Sequence, residues 1–386
     1  MIFTEESKRE KWIRRFLKKA VHYNKVNILR NGTEAFPVML KSIEDANETI
    51  NLEFYKIQND KTGWEFARAL AKKQEEGCSV RVIYDSMGCI DAGNELFDYL
   101  KLNGVRTLEY HPVLPFSSKH WGWWKRNHRK MLIVDGKIAF VGGINLTDEY
   151  SGVIGEAQGW RDTDIVIIGP AVRDLQKLFL STWNTEGTEP SDGKRFFPVI
   201  EPAGEIPVRI LGSRRRKNRR IIRRAYLNAI NNSRNIIFIA NAYFVPDRGI
   251  LRALKNAKKR GVDIRLILPA KTDIPPVRYA SCALYSRFLR WGVRIFEWQG
   301  SVLHAKTAVI DGIWSTVGSF NIDRRSITHN LEVNVTIFNE AFGKKMTEMF
   351  NEDFKNCKEI ELKKWKRRSL SQKFFEKLFY LIRHWF

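Results

Sequence analysis

The chain has 386 residues, 44% of them hydrophobic, with 66 Lys and Arg against 43 Asp and Glu. That length and apolar fraction exclude general disorder and leave room for two domains of ordinary size. The net charge of +23 calls for an anionic partner, either nucleic acid or a surface of acidic lipid, and charge alone does not separate the two.

The opening segment, MIFTEESKREKW, has no apolar core and is not expected to be a secretory signal. It continues into Trp12, Ile13, Phe16 and Leu17, flanked by Arg14, Arg15, Lys18 and Lys19, which predicts a basic amphipathic helix within residues 1–24. Such a helix either touches a membrane or packs on the rest of the protein. A first lobe is expected over residues 25–190, reading as strands alternating with amphipathic helices. The run EEGCSVRVIYD, ending at Asp85, and then NGVRTLEYHP carry strand-like β-branched stretches after Gly turns. Next comes PFSSKHWGWWKRN, an insertion of about twelve residues relative to the second half. Its Trp121, Trp123 and Trp124 stand beside Lys125 and Arg126, as in a lip resting on lipid headgroups or a loop packed on the other lobe.

The polar stretch from Asn184 to Pro207 marks the lobe boundary, with a linker at 191–207. The basic run from Ser213 to Arg224 opens a second lobe over residues 208–350. There KKRGVDIRLILP, ending at Pro269, mirrors the Asp85 run, and WGVRIFEWQG mirrors NGVRTLEYHP. Strands alternating with helices twice over predict an α/β fold of two similar lobes, each a mixed sheet flanked by helices. The tail, residues 351–386, reads as a basic amphipathic helix. Leu370, Phe374, Leu378, Leu381 and Trp385 form one row, with Phe375, Phe379, Ile382 and Phe386 beside it and Lys373, Lys377 and Arg383 towards the other side. This predicts a peripheral membrane contact, the alternative being a helix packed on the lobes. No run approaches the roughly 18 apolar residues of a membrane-spanning helix. Cys78, Cys89, Cys282 and Cys357 show neither paired nor metal-ligand spacing, and no cofactor or metal is expected.

The most specific feature is a pattern written twice. His128, Lys130 and Asp135 (motif 122–149) recur as His304, Lys306 and Asp311 (motif 298–325), both in the form His-x-Lys-x4-Asp-Gly. Gly142 and Asn145 follow the first copy as Gly318 and Asn321 follow the second. Each copy brings an imidazole able to act as nucleophile or acid–base, an ammonium to hold an anion, and an amide able to donate to an oxyanion. Two imidazoles on opposite sides of one anionic centre suit a phosphodiester, one attacking phosphorus and the other protonating the departing alkoxide. Asp135 and Asp311 complete the two motifs and are counted with His128, Lys130, His304 and Lys306 as the expected catalytic set, their part being to brace the strand–turn geometry through backbone hydrogen bonds. Tyr55 and Tyr243, at corresponding strand ends, are candidates for lining a headgroup pocket.

These residues resemble the phospholipase D superfamily, whose hallmark is the same His-Lys-Asp motif. The resemblance runs from about Asn27 to Asn351 and is strongest to bacterial cardiolipin synthases of the minor B type. It rests on ILRNGTEAFPVML, INLEFYKIQND, WRDTDIVIIGPAV, IANAYFVPD and VGSFNIDRRSITHNLEVNV. It implies an active site between the lobes, a phosphohistidine intermediate formed without metal, and phosphatidylglycerol as an anionic phospholipid substrate. It also implies a peripheral place on the cytoplasmic side of the cell membrane. By resemblance Asp162 orients His128, Glu332 orients His304, and His128 is the nucleophile. One departure makes the half-sites unequal, because Gly143 stands where the second copy has Ser319. The implied reaction joins two phosphatidylglycerols into cardiolipin with release of glycerol. Hydrolysis by the same site is the alternative. A nuclease is less favoured, since no separate nucleic-acid module is evident, and both intact motifs argue against a scaffold with a dead site. The oligomeric state is left open by these features.

Overall fold

The computed structural model describes residues 5–113, 124–152, 159–187, 193–213 and 218–385. Its framework is a single sheet of fifteen strands. The first half supplies β1 (Val21–Arg30), β2 (Thr49–Phe54), β3 (Ser79–Asp85), β4 (Arg106–Tyr110), β5 (Lys130–Val134), β6 (Ile138–Gly142) and β7 (Thr163–Ile168). The second supplies β8 (Ile206–Gly212), β9 (Ile236–Asn241), β10 (Asp263–Pro269), β11 (Arg294–Trp298), β12 (Lys306–Ile310), β13 (Trp314–Gly318), β14 (Val333–Phe338) and β15 (Cys357–Glu359). Reading outward from the centre, the first half runs β1-β7-β6-β5-β2-β3-β4 and the second β8-β14-β13-β12-β9-β10-β11-β15. Both halves therefore use one topology. In each, three strands are parallel (β2–β3–β4 and β9–β10–β11) and the motif strands join antiparallel. Antiparallel pairing of β1 with β8 fuses the two into one sheet.

Composition explains the layering. Every residue of β2, β5, β12 and β13 is buried, as expected for strands covered on both faces by helices. The helices Lys61–Glu75 and Arg248–Lys259 begin at local caps, Asp60 accepting from the Gly63 amide at 2.8 Å and Asp247 from the Ile250 amide at 3.0 Å. Leu175 and Phe179 of the helix Val172–Glu186 and Met346 and Phe350 of the helix Glu340–Lys355 meet in a central core with Ile133, Ile165, Val309 and Val335. The two halves thus share a core as well as a sheet.

The motif aspartates have a purely architectural setting. Asp135–Gly136 and Asp311–Gly312 all have positive φ (50°, 61°, 54° and 65°) and take the central positions of the tight turns that join β5 to β6 and β12 to β13. The Asp135 carboxylate accepts from the amides of Asn47, Glu48 and Thr49, and Asp311 accepts from those of Arg234, Asn235 and Ile236. Each pins its turn to the start of the neighbouring strand. Both sit at the far ends of five-residue strands from the histidines, a span of roughly 17 Å. Their place among the expected catalytic residues is corrected accordingly.

Three other expectations change. The N-terminal helix covers Glu5–Leu17, and β1 already begins at Val21. Trp12 and Phe16 pack on Phe338, with ring centroids 5.4 and 5.6 Å away, so this helix is a packing element. Within the expected linker, Phe196 is buried beneath the Arg81 guanidinium; residues 191–192 lie outside the described residues.

The helix Glu340–Lys355 runs straight through the expected boundary at 350, and β15 then extends the sheet edge beside β11. The tail helix Leu370–Leu381 packs on the helix Pro275–Arg290, with the Phe379 ring stacked on Tyr279 at 5.7 Å. Its Leu370, Phe374, Leu378 and Leu381 nevertheless face solvent, at 81%, 63%, 39% and 61% exposure. Packing and an exposed apolar row coexist because the helix is apolar on two faces. Trp385's side chain and Phe386 lie outside the described residues.

Asp353, within the expected tail, is buried and holds Arg161 at 2.6 and 3.0 Å and Arg30 at 3.0 Å. Removing one partner of a buried pair leaves an uncompensated charge. Asp353→Ala is therefore expected to destabilise the protein by about 3–5 kcal/mol, measured by urea unfolding. A loss below about 1 kcal/mol would show the pair to be dispensable.

Candidate active site

The histidines lie just ahead of their strands, in segments that cross between halves. Asn127 forms a parallel bridge with Leu331, and Arg161 forms one with Leu303. The His128 amide donates to the Leu331 carbonyl at 2.9 Å and the His304 amide to the Arg161 carbonyl at 2.8 Å. Each histidine is thereby registered beside the carboxylate of the opposite half. His128 Nδ1 lies 3.1 Å from Glu332 Oε2, and His304 Nδ1 lies 2.8 Å from Asp162 Oδ2. The assignments made by sequence position are crossed: Glu332 serves His128 and Asp162 serves His304. Both carboxylates are fully buried, and Arg161 finds its carboxylate partner in Asp353.

Burial controls the ionisation of the whole cluster. It is the main cause that lowers His128 to about 4, with Glu332 opposing and Lys130 adding to the effect. It also holds His304 well below the ordinary histidine range, reinforced by Lys306. Burial and Lys306 bring Lys130 down to about 7, and burial opposed by Asp162 brings Lys306 to about 8. Asp162 is pushed up to about 6 by burial, with Lys306 opposing. For Glu332 burial is outweighed by His128 and Lys130, so its carboxyl stays below the usual range. An ionised carboxylate can only accept, so Nδ1 of the neutral His128 imidazole carries the proton and Nε2 keeps its lone pair, whereas His304 Nδ1 has Lys306 Nζ at 2.7 Å as well as Asp162. Lys130 Nζ donates to the His128 carbonyl at 2.8 Å, and Lys306 Nζ bonds the His304 carbonyl. Both lysines are fully buried, so they set the charge of the site from behind the histidines.

The two half-sites are unequal in atomic detail. Ser319 Oγ donates to Glu332 Oε2 at 2.5 Å. At the equivalent Gly143 a Cβ would collide with both carboxylate oxygens of Asp162, so glycine is what lets the shorter aspartate sit there. Tyr150 adds a second difference, with its hydroxyl 2.9 Å from His304 Nδ1 and 3.2 Å from the Asn145 amide. Asp164 and Asn334 are a third matched pair, accepting from the Ile144 and Phe320 amides. Burial and then Asp162 push Asp164 up to about 8, which makes it a neutral acid standing where the other half has a neutral amide.

Both histidines open onto one cavity of about 520 Å³, walled also by Asn145, Asn321, Tyr55 and Tyr243. Oδ1 of each asparagine is buried with no hydrogen-bond partner among the described residues, so each keeps an acceptor free for a ligand hydroxyl. The Tyr55 ring lies 5.0 Å from that of His128, and the Tyr243 ring 6.2 Å from that of His304. Sequence reasoning missed Tyr150, Trp160 and Asp273. Aligning the two motif copies at their asparagines sets Tyr150 opposite Ser326, and that mismatch was the available signal. Asp273 accepts from the Tyr243 hydroxyl, a contact between loops that no spacing marks. Glu53 was also missed. Buried in β2, it accepts from Asn127 Nδ2 at 2.7 Å and lies 3.3 Å from Arg129 Nη1, so it supports the segment that carries His128. Trp121 and Trp123 lie outside the described residues, and Trp124 is exposed.

Comparison with known proteins agrees with this geometry. A family profile described as "Cardiolipin synthase, PLD-like domain" matches residues 39–183 and 226–354. A cardiolipin synthase of Geobacillus kaustophilus is 35% identical over 349 residues, which is 88% of this chain and 68% of that protein. One from Staphylococcus aureus is 35% identical over 356 residues, 92% of this chain and 72% of that protein. The fold is shared with phosphatidylserine synthase of Haemophilus influenzae, at a TM-score of 0.76 and 13% identity, covering 98% of this chain and all of that one. It is shared more distantly with polyphosphate kinase of Porphyromonas gingivalis, at a TM-score of 0.58 and 14% identity, over 88% of this chain and 49% of that one. With its doubled motif, its two-lobe repeat and relatives matched over most of its length, the chain belongs to the cardiolipin synthase family of the phospholipase D superfamily.

Proposed function

We propose that this protein transfers a phosphatidyl group from one phosphatidylglycerol to the glycerol headgroup of a second, giving cardiolipin and glycerol. The observation that carries the reading is the pair of oriented, neutral imidazoles facing one cavity, each held by the carboxylate of the other half. His128 is the better nucleophile, since its partner Glu332 is the more firmly ionised carboxylate. Its Nε2 attacks phosphorus, the bond from phosphorus to the glycerol oxygen breaks, and His304 gives that oxygen a proton. A bound phosphodiester brings the negative charge that lets His304 hold this proton, offsetting the lysines behind it. In the second half, His304 takes the proton from a glycerol hydroxyl of the acceptor lipid. That oxygen attacks phosphorus and the P–N bond breaks. Asn145, Asn321 and Ser319 are supporting groups, the first two as donors to the phosphoryl oxygens and the third through Glu332.

The membrane is reached peripherally, on the cytoplasmic side, through the exposed row of the tail helix and the exposed Trp124. Among the described residues no helix is long and apolar enough to cross a membrane. The repeat is read as two lobes, one built on β1 to β7 and the other on β8 to β14, each supplying one histidine and the carboxylate that serves the other lobe's.

Incubation of the purified protein with phosphatidylglycerol, read by mass spectrometry, should give cardiolipin and glycerol. Phosphatidic acid alone would make it a hydrolase, and cleavage of single-stranded DNA without lipid turnover would overturn the lipid reading. His128→Ala and His304→Ala should each lower kcat by a factor of about 10³ or more, with the double variant little worse, because the two act as a unit. Activity within about tenfold of wild type in either would contradict the two-histidine mechanism. The pH profile of kcat/KM should show an acid limb near 4 from His128 and an alkaline limb between about 7 and 8 as Lys130 and Lys306 lose their charge. The fold should follow the same histidine. A His128 lowered from 6.5 to about 4 favours folding above 6.5, and that contribution is lost as pH falls towards 4. Chelation should leave turnover unchanged, since the two lysines supply the positive charge.

A further inference from the structure

A second cavity, of about 780 Å³, lies outside the site described above and is walled by Arg220, Arg223, Arg248, Arg287, Arg324 and Arg383. One carboxylate faces it, Asp247, which is already bound to Arg223 and to the Ile250 amide. Among the described residues no carboxylate pairs with Arg220, Arg248, Arg287 or Arg324. Two of these cations stand where cations are unfavourable on their own. Arg220 precedes the helix Ile221–Asn231 and Arg248 opens the helix Arg248–Lys259, both at the positive end of a helix dipole. An anion between them relieves both the mutual repulsion and the dipole, and guanidinium forks bind phosphate oxygens in pairs.

The wall of this cavity also identifies what the anion is attached to. Leu381 lines it and continues outward as the exposed row Leu378, Phe374 and Leu370. A free phosphate or a nucleic acid would fill the arginine cavity and leave that ridge in water. A phospholipid satisfies both, with its phosphate among the arginines and its chains against the ridge. We infer that this cavity is a non-catalytic headgroup site that holds the phosphate of an anionic phospholipid while the protein rests on the membrane. The inference rests on the reading of the protein as an enzyme of acidic lipid and gives that reading a defined docking point. The short helix Arg324–Thr328 is the shared wall. Its Arg324, Ile327 and Thr328 line the arginine cavity, and its Arg325 and Ser326 line the catalytic one, so a lipid held here sets the catalytic mouth against the bilayer.

The test compares full-length R220Q/R248Q/R287Q with the charge-matched control K72Q/K101Q/K137Q, whose lysines are exposed on the first half. Co-sedimentation uses vesicles of phosphatidylglycerol with phosphatidylcholine, and turnover is read separately on monomeric short-chain phosphatidylglycerol. The arginine variant should lose at least about tenfold in vesicle affinity and the control less than about twofold, with turnover of the monomeric substrate unchanged in both. Equal losses in the two variants would show a diffuse basic surface and overturn the inference. Unchanged vesicle binding with weakened binding of single-stranded DNA would overturn it in favour of a nucleic-acid face. Absence of lipid turnover in the parent protein would sink the catalytic reading alone, because the vesicle comparison still decides the cavity.

Discussion

The structure depends on the exchange of carboxylates between halves. Two short parallel bridges, Asn127 with Leu331 and Arg161 with Leu303, carry each histidine to the other half's acid. Neither half contains a complete His–carboxylate pair, so the repeat works only as a fused unit. That requirement explains why the halves share a sheet through β1 and β8 and a core through two long helices. It also explains the weight placed on Arg161, whose backbone makes one bridge while its side chain is anchored by Asp353 from the far end of the chain.

Burial then converts that geometry into chemistry. Histidines, lysines and carboxylates are gathered in buried surroundings, where each charge is costly unless another offsets it. The result is a pair of neutral imidazoles above two lysines of weakened basicity. Such a cluster is incomplete until an anion enters. The inequality of the halves, with Ser319 against Gly143 and Tyr150 against Ser326, gives the two imidazoles different surroundings within one topology.

Much of this was legible in the sequence, for reasons that differ by residue. The doubled motif, the α/β repeat and the bracing role of Asp135 and Asp311 follow from local spacing. An Asp-Gly pair between two β-branched runs dictates a tight hairpin wherever the strands go. The partners of the histidines were not legible, because the family resemblance assigned to each histidine the acid that follows it in its own half. The pairing is decided instead by which strand ends meet across the sheet, a long-range fact. The tail shows a different limit. Helical period identified the row from Leu370 to Leu381, but the neighbouring Phe375 and Phe379 belong to a second apolar face that only the helix Pro275–Arg290 explains.

The crossed exchange is open to one direct measurement, the imidazole Nδ1–H resonances of His128 and His304 in selectively ¹⁵N-labelled protein. Glu332→Gln should shift the His128 signal and leave that of His304 nearly in place, and Asp162→Asn should do the reverse. A Glu332→Gln substitution that moves the His304 signal and spares His128 would contradict the account.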